Sequence, residues 1–245
     1  MVEKVETQDG SNTAYSTLFN EHYHSTKDGA LGESLHKHVI PALLHVKDQK
    51  SISILDICFG LGFNTLSTLY YLHVNNIQKQ VRIVSPEFDA DLVSGLADFE
   101  YPDIFAPYRS IIQAISSQGE YRDESLHVTV IIDDARAYLR RCDERFDIVY
   151  HDAFSPAVNP MLWTQEYFAH IARVIKDEGI LTTYSTALRT RLALHVNGFN
   201  IYLNRGEGYR NATLASKSVL DYEKVDMKHK MACNPDVVAL CDAEI

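Results

Sequence analysis

From residue 51 onward, two hydrophobic patterns alternate along the chain. Five apolar runs are typical of strands buried on both faces of a sheet: SISILDICF, VRIVSPEF, HVTVIID, FDIVYHD and GILTTYS. Helical segments separate them, the first predicted at about Asn64 to Val74. This alternation predicts an α/β fold with a mostly parallel sheet and helices on both faces. GFNIYLNR and NATLAS, joined by a short glycine-containing loop, predict a final antiparallel hairpin.

The segments outside this alternation are predicted to be appendages of one domain. Residues 1–13 have no hydrophobic period, so we expect a disordered lead-in. Residues 14–46 combine polar and aromatic positions with a helical stretch and are expected to form an N-terminal lid on a domain that spans residues 14–216. Residues 217–245 are polar without a clear period and are treated as a C-terminal extension.

Composition and charge narrow the function classes. The 245 residues suffice for one large domain with a real core, and no apolar run is long enough to predict a membrane span. The start has no signal-peptide pattern and the 4 cysteines have no C-x-x-C spacing, so we expect a reduced, cytoplasmic protein. A formal charge of −10 disfavours non-specific nucleic-acid binding, although a local basic patch is compatible with it.

The turn after the first strand reads DICFGLGFNT. Gly60 and Gly62 allow a sharp turn and close approach of the backbone to a ligand. A dinucleotide fingerprint would place a third glycine at Thr65, whereas here an acid, Asp56, precedes the glycines. This order is similar to the first motif of S-adenosylmethionine-dependent methyltransferases, and Phe59 and Asn64 belong to the same loop. The alternative is a tight strand-to-helix turn without a ligand.

The next two strands also end in acids. Glu87, followed by Phe88, is placed to accept hydrogen bonds from ribose hydroxyls. Asp133 or Asp134 is placed to accept from an adenine amino group, with Ala135 beside the ring. A single acid at a strand end is usually solvated, but acids at successive strand ends along one sheet edge favour a ligand site.

The fourth strand delivers Asp152 to the same edge, in YHDAFSPAVNP. Pro156 stiffens the turn, and Phe154 adds an aromatic ring beside the cofactor, so the loop is suited to positioning. A carboxylate beside an amine orients it, stabilises the charge that develops on nitrogen and accepts its proton. Asp152 is therefore the candidate catalytic residue for methylation of an amine.

Five segments together resemble, in order and spacing, the MnmC-type methyltransferase domain of tRNA wobble-uridine modification: YSTLFNEHYHSTKDGALGE, DICFGLGFNT, SPEFD, DDARAYL and HDAFSPAVNPMLWTQEYF. The resemblance covers about Tyr15 to Ser216. It implies a Rossmann-like class I S-adenosylmethionine-dependent methyltransferase fold with a seven-stranded sheet. It also implies N-methylation of 5-aminomethyl(-2-thio)uridine in tRNA, with Asp152 at the acceptor amine and Tyr23 in a segment that folds over the pocket.

The chain also departs from this family. Many members carry an FAD-dependent oxidase domain, which this sequence lacks, so we expect a stand-alone methyltransferase whose aminomethyl substrate comes from a separate enzyme. The family's basic turn between the last strands is reduced to GEGYRNA. Arg205, Arg210 and Lys217 are the remaining candidates for tRNA contact. Cys58 stands where the family often has glycine.

Two other functions remain open on the sequence. A polyamine aminopropyltransferase shares the fold and the acid-rich strand ends, but it uses decarboxylated S-adenosylmethionine and needs a further acidic pair. A non-catalytic cofactor-binding protein is disfavoured because both Asp152 and the glycine loop are intact. The His22/His24 and His36/His38 pairs lack an obvious third ligand, so no metal site is expected.

Overall fold

The computed structural model describes residues 3–245 as twelve strands and nine α-helices. The strands are β1 Glu3–Glu6, β2 Asn12–Ser16, β3 Glu21–His22, β4 Ser51–Ile57, β5 Gln80–Glu87, β6 Glu120–Arg122, β7 Leu126–Ile132, β8 Phe146–His151, β9 Ile175–Thr183, β10 Asn200–Asn204, β11 Ala212–Ser216 and β12 Glu223–Lys224. The helices are α1 Ala30–Glu33, α2 Ile40–His45, α3 Phe63–Val74, α4 Ala90–Gly95, α5 Arg109–Gln118, α6 Ala135–Arg141, α7 Gln165–Val174, α8 Leu188–Val196 and α9 Met227–Cys233.

Short helical turns complete the connections. A π-helical segment, Ser34–Val39, joins α1 to α2, and 3-10 turns occur at Leu96–Asp98, Asp103–Tyr108, Pro160–Leu162 and Asp242–Glu244. Pro160 opens its turn at the first position, where its missing N–H leaves no hydrogen bond unmade. The Asn159 side chain, in contrast, makes no capping hydrogen bond.

Nine strands form the main sheet in the order β12-β10-β11-β9-β8-β4-β5-β7-β6. The pairs β9-β8, β8-β4, β4-β5 and β5-β7 are parallel, and β10 and β11 form the predicted antiparallel hairpin. The fold is thus the predicted Rossmann-like class I methyltransferase architecture. The two strands beyond the expected seven are the short edge strands β6 and β12.

Helices cover both faces of this sheet, which explains why its strands read as continuous apolar runs. One core contains the inward residues of α3 and α5, and the other those of α6, α7 and α8. Four residues at helical spacing, Trp163, Tyr167, Ile171 and Val174, are buried in the second core.

The lead-in was expected to be disordered, but its described part contains secondary structure, and so does the C-terminal extension. β1 lies within residues 1–13 and pairs with β2, which in turn pairs with β3. Asp9 stabilises the turn between β1 and β2 by accepting hydrogen bonds from Thr7 and Ser11. In the C-terminal extension, Asp242 forms an ion pair with the buried Arg136. These short polar contacts have no hydrophobic period, so periodicity could not reveal them.

Candidate active site

Strand order reverses between β4 and β8, and ligands of open α/β sheets bind at such a point. The two strands are neighbours, with Ile57 opposite His151. The loop after β4 therefore lies beside Asp152, which follows β8. His151 points to the other face, where its Nε2 bonds the Leu162 carbonyl at 2.9 Å. Burial lowers the pKa of His151 to about 4, so it is a neutral core residue at physiological pH.

Left-handed backbone conformations shape the loop after β4. Cys58, Gly60 and Gly62 have φ values of 65°, 55° and 75°. A Cβ on Gly62 would lie 2.9 Å from the Phe59 ring, so this position admits no larger residue without rearrangement. Cys58 adopts a conformation that favours glycine, which accounts for the glycine common at this position in the resembling family.

Glu87 fixes this loop from the end of β5. Its carboxylate accepts hydrogen bonds from the backbone N–H of Gly60 at 2.9 Å and of Asp89 at 3.0 Å. Burial raises the pKa of Glu87, although the backbone hydrogen bonds that its carboxylate accepts act in the opposite direction. Each carboxylate oxygen has a second lone pair, so Glu87 can hold the loop and still accept from a ligand hydroxyl.

A cavity of about 340 Å³ lies over these strand ends. Eleven of the thirteen residues predicted to bind the cofactor line it: Tyr23, Phe59, Gly60, Asn64, Glu87, Phe88, Asp133, Asp134, Ala135, Asp152 and Phe154. We call it the cofactor cavity. Asp134 also caps α6 by accepting from the Ala137 N–H at 2.8 Å, and Asp133 pairs with Arg141.

The other two predicted residues, Asp56 and Gly62, lie outside the lining of this cavity. Asp56 is 1% exposed and accepts hydrogen bonds from Thr65 at 3.0 Å and Asn64 at 3.5 Å. Burial, and then the charge of Asp152, raise its pKa to about 7. Asp56 therefore holds the start of α3 against β4, and its position fits support of the loop rather than ligand contact.

Asp152 lies in a cluster of buried polar side chains. Its Oδ2 accepts from Asn64 Nδ2 at 3.0 Å, and its Oδ1 lies 3.5 Å from Nε2 of the fully buried His38. Burial would raise the pKa of Asp152, but the electrostatic effect of the nearby His38 and His24 imidazoles holds it well below its usual range. The site therefore presents an ionised carboxylate at neutral pH.

The loop that follows Asp152 is held at three successive backbone groups. Tyr184 OH donates to the Ala153 carbonyl at 2.9 Å, and Trp163 Nε1 to the Phe154 carbonyl at 2.7 Å. Glu21 of the lid accepts from the Ser155 N–H at 2.9 Å. These bonds, more than Pro156 alone, fix the position of Asp152. Trp163 thus has a positioning contact in addition to its core packing.

Aromatic rings from the lid cover the cofactor cavity. Phe19 stacks on Phe154 with ring centroids 4.5 Å apart, and meets Phe88 edge-on at 5.9 Å. Tyr23 lies 5.0 Å from Phe154. The predicted position of Tyr23 over the pocket is found, whereas Phe19 was not identified from sequence because an aromatic residue in a loop has no distinguishing pattern.

A second cavity, of about 400 Å³, adjoins the first. Both are lined by Tyr23, His24, Asp152 and Phe154. We call the second one the acceptor cavity. Its remaining lining comes from the lid and from the sheet edge at β9 and β11: Glu21, His22, Ser25, Thr26, Glu33, Lys37, Ala153, Tyr184, Thr186, Arg210 and Asn211.

A buried ionic network forms one wall of the acceptor cavity. Lys37 Nζ donates to Asp28 at 2.6 Å and to Glu33 at 2.7 Å, and all three side chains are less than 10% exposed. Arg210 donates to Asp28 at 2.9 Å and to Ser25 at 2.9 Å. Arg210 thereby ties the turn between β10 and β11 to the lid.

The predicted tRNA residues are not brought together. Arg205 and Arg210 follow β10 at the sheet edge that carries the cavities. Lys217 follows β11, which runs antiparallel to β9, and so lies at the opposite edge, 3.5 Å from Asp177. The grouping of Lys217 with the two arginines is therefore wrong.

The hydrogen-bonding groups that line the cavities fit S-adenosylmethionine. Glu87 offers carboxylate oxygens at the position expected for a ribose. Asn64 Oδ1 is buried without a hydrogen-bond partner among the described residues, and Asp152 beside it is ionised. Both can accept from the ammonium group of an amino-acid moiety.

Within residues 3–245, no group of three or more His, Cys, Asp or Glu side chains is arranged to hold a metal ion, and no helix is long and apolar enough to cross a membrane.

Comparison with known proteins also indicates an S-adenosylmethionine-dependent methyltransferase. The model of a family described as S-adenosyl-L-methionine-dependent methyltransferase matches residues 100–218. The crystal structure of MNMC2 from Aquifex aeolicus superimposes with a TM-score of 0.84 at 33% sequence identity, covering 100% of this chain and 80% of that one.

Two curated relatives are longer than this chain. An uncharacterized protein of Methanocaldococcus jannaschii is 32% identical over 216 residues, which cover 87% of this chain and 59% of that protein. The tRNA 5-methylaminomethyl-2-thiouridine biosynthesis bifunctional protein MnmC of Azoarcus sp. (strain BH72) is 31% identical over 221 residues, with coverages of 84% and 34%. The chain thus spans less than two thirds of the length of either relative.

Proposed function

Because the chain belongs to the MnmC-type S-adenosyl-L-methionine-dependent methyltransferases, we propose that it methylates the aminomethyl nitrogen of 5-aminomethyl(-2-thio)uridine at the tRNA wobble position. The product is 5-methylaminomethyl(-2-thio)uridine. One observation carries the proposal: the Asp152 side chain lines both cavities and lies where the cofactor cavity meets the acceptor cavity. The MnmC relative from Azoarcus is named for tRNA 5-methylaminomethyl-2-thiouridine biosynthesis, which supports the choice of substrate.

When bound, S-adenosylmethionine supplies a methyl group activated by a positively charged sulfur. The acceptor nitrogen first releases the extra proton of its ammonium form to solvent water. Transfer of that methyl group to the nitrogen lone pair, with the neutral thioether of the demethylated cofactor as leaving group, would place positive charge on nitrogen. Asp152 faces that nitrogen and stabilises this charge.

The low pKa of Asp152 refines the role expected from sequence. A carboxylate that His38 holds in its ionised form is a weak proton acceptor, so we assign Asp152 mainly to orientation of the amine and to charge stabilisation. Asn64 fixes one carboxylate oxygen at 3.0 Å. His38, whose Nδ1 lies 2.9 Å from Thr182 Oγ1, is proposed to position the other.

The ionic network disfavours the polyamine alternative. Aminopropyl transfer to a diamine needs free carboxylates for the distal amine, but Asp28 and Glu33 are already neutralised by Lys37 and Arg210 in the described structure. A purely cofactor-binding role would leave the acceptor cavity and its ionised Asp152 without a use. A separate enzyme that supplies the aminomethyl group and a cytoplasmic location remain part of the proposal.

The test is methyl transfer by the purified protein to tRNA that carries 5-aminomethyluridine, followed by mass spectrometry of the digested nucleosides. We expect a mass increase of one methyl group on the wobble nucleoside only. Modification of another nucleoside, or aminopropylation of putrescine with tRNA unchanged, would refute the proposed function. Wobble nucleosides from cells with and without the protein provide the matching test in vivo.

A further inference from the structure

A groove runs along the protein surface from the acceptor cavity. The two share Thr186, Arg210 and Asn211. The rest of the groove is lined by Arg191, Leu203, Arg205, Glu223, Lys224, Val225, Asp226 and Lys230. One wall therefore comes from β12 and α9, which belong to the C-terminal extension that has no role in the two cavities.

Cationic side chains outnumber anionic ones in this groove, although the whole protein carries −10. Arg191, Arg205 and Lys230 oppose Glu223 and Asp226, whereas Arg210 is paired with Asp28 of the lid. Lys224 adds little to the groove, because its ammonium group reaches away to Asn200 Oδ1 at 2.8 Å.

Arg191 is the most informative of these cations. It is partly buried, and its Nε donates to Thr213 at 3.0 Å. Within the described chain, no carboxylate lies within 4.0 Å of its guanidinium, whereas Arg205 has Glu223 at 3.3 Å. Burial, and then the positive charge of Arg205, lower the pKa of Arg191. An anion between the two guanidinium groups would relieve both effects.

We propose that this groove binds the phosphodiester backbone of the RNA whose modified base enters the acceptor cavity. The inference rests on the proposed function, and it gives the C-terminal extension a role through Lys230. An open groove that continues into the base-binding cavity suits a polymer with regularly spaced charges. Phosphate contacts of this kind set the register of an RNA without reading its sequence.

The test compares tRNA binding by two double variants that each remove two positive charges. In the groove variant, Arg205→Ala is combined with Lys230→Ala; in the control, Lys217→Ala is combined with Lys176→Ala, at the opposite sheet edge. Affinity for an unmodified tRNA transcript is measured by fluorescence anisotropy at several salt concentrations. We expect the groove variant to bind roughly 10-fold more weakly, with the slope of log K against log salt reduced by about 2.

The control should bind like the wild type, and melting curves should show that both variants are folded. Wild-type affinity and salt slope in the groove variant would overturn the inference, as would an equal loss in the control. Arg191→Leu offers a second test, because loss of a cation without an acidic partner should weaken RNA binding with little loss of thermal stability.

The two proposals fail separately. If the wild-type protein methylates tRNA but the groove variant binds RNA normally, only the groove inference is wrong. If tRNA binding depends on the groove but the wild-type protein methylates neither aminomethyl tRNA nor the free 5-aminomethyluridine nucleoside, only the proposed function is wrong.

Discussion

The cofactor cavity and the acceptor cavity share Asp152 but are built by different means. The loops after β4, β5 and β7 supply much of the cofactor cavity beneath the lid, and backbone N–H groups hold its key acid, Glu87. The acceptor cavity is assembled from the lid and from the turn between β10 and β11. These segments lie far apart in sequence and are joined by ion pairs such as Arg210–Asp28.

The difference teaches which properties of each cavity are robust. Backbone geometry holds the first cavity, so it depends on glycines and strand ends and little on salt. Side-chain charges hold the second, so it depends on each partner being present and ionised. The loops at the strand ends can thus bind the cofactor independently of the lid, whereas the lid helps to determine which acceptor binds.

The largest effect is expected where the cavities meet. Asp152→Asn keeps the size of the side chain and one acceptor oxygen, so the fold and most cofactor affinity should remain. The amide cannot balance charge on the acceptor nitrogen, and turnover should fall roughly 10²–10⁴-fold. Single-turnover methylation of tRNA with 5-aminomethyluridine measures the rate, and calorimetry measures cofactor binding. Near-normal turnover would remove Asp152 from the chemistry, and a loss of cofactor binding as large as the loss of rate would limit its role to holding the cofactor's ammonium group.

The pH dependence of this rate sharpens the assignment. Because the pKa of Asp152 is well below its usual range, the carboxyl is already ionised at neutral pH. The wild-type rate should therefore rise with pH as the acceptor amine loses its proton, and it should not follow a carboxyl titration near pH 4–6. A rate that levels off once such a group has ionised would contradict this reading.

The next largest effect concerns the ionic network of the acceptor cavity. Lys37→Met leaves Glu33 without its cation and Asp28 with Arg210 alone, both in buried positions. Breaking such a pair typically costs about 3–5 kcal/mol of unfolding free energy. Urea unfolding at pH 7 and at pH 5 should show a larger loss at pH 7, because buried unpaired carboxyls are easier to accommodate when protonated.

Lys176→Met is the matched control for this prediction. Lys176 also bonds a carboxylate, Asp147, at 2.8 Å, but its own side chain is 45% exposed. Its removal should cost no more than about 1 kcal/mol. Equal losses in the two variants would show that the buried network is not what stabilises the lid.

The third effect is confined to the cofactor cavity. Glu87→Ala removes two backbone hydrogen bonds to the glycine loop and the proposed ribose acceptor. Hydrogen bonds to a charged group contribute about 1.5–3 kcal/mol, so the dissociation constant of S-adenosylmethionine should rise roughly 10- to 100-fold. Glu144→Ala is the matched control, because its side chain is 49% exposed and outside both cavities, and it should leave cofactor affinity near the wild-type value. Cofactor affinity that survives Glu87→Ala would mean that another residue holds the ribose.

The same contrast explains what sequence could predict. The parallel strands and the positions of Glu87, Asn64 and Asp152 follow from local motifs, because parallel strands end at one edge of a sheet. His38 and the Lys37 network were not identified, since their partners lie at distant positions in the sequence and a helix residue carries no sign of its tertiary contact. Lys217 was misplaced for a related reason: closeness to Arg210 along a strand is not closeness in space.

The smallest effect tests whether local backbone geometry alone builds the cofactor loop. Cys58 has φ of 65°, and a non-glycine residue in this region is strained by about 1 kcal/mol or more. Cys58→Gly relieves that strain, but the greater freedom of glycine in the unfolded chain costs about 0.5–1 kcal/mol. The unfolding free energy should therefore change by less than about 1 kcal/mol, and cofactor affinity should stay within a few-fold of the wild type.

Gly62→Ala is the contrasting variant, because the φ of Gly62 is 75° and the new Cβ would lie 2.9 Å from Phe59. It should lose both stability and cofactor affinity, as measured by urea unfolding and calorimetry. If Cys58→Gly were as harmful as Gly62→Ala, the thiol would have a role of its own at the cavity wall, and backbone geometry would no longer suffice to explain the loop.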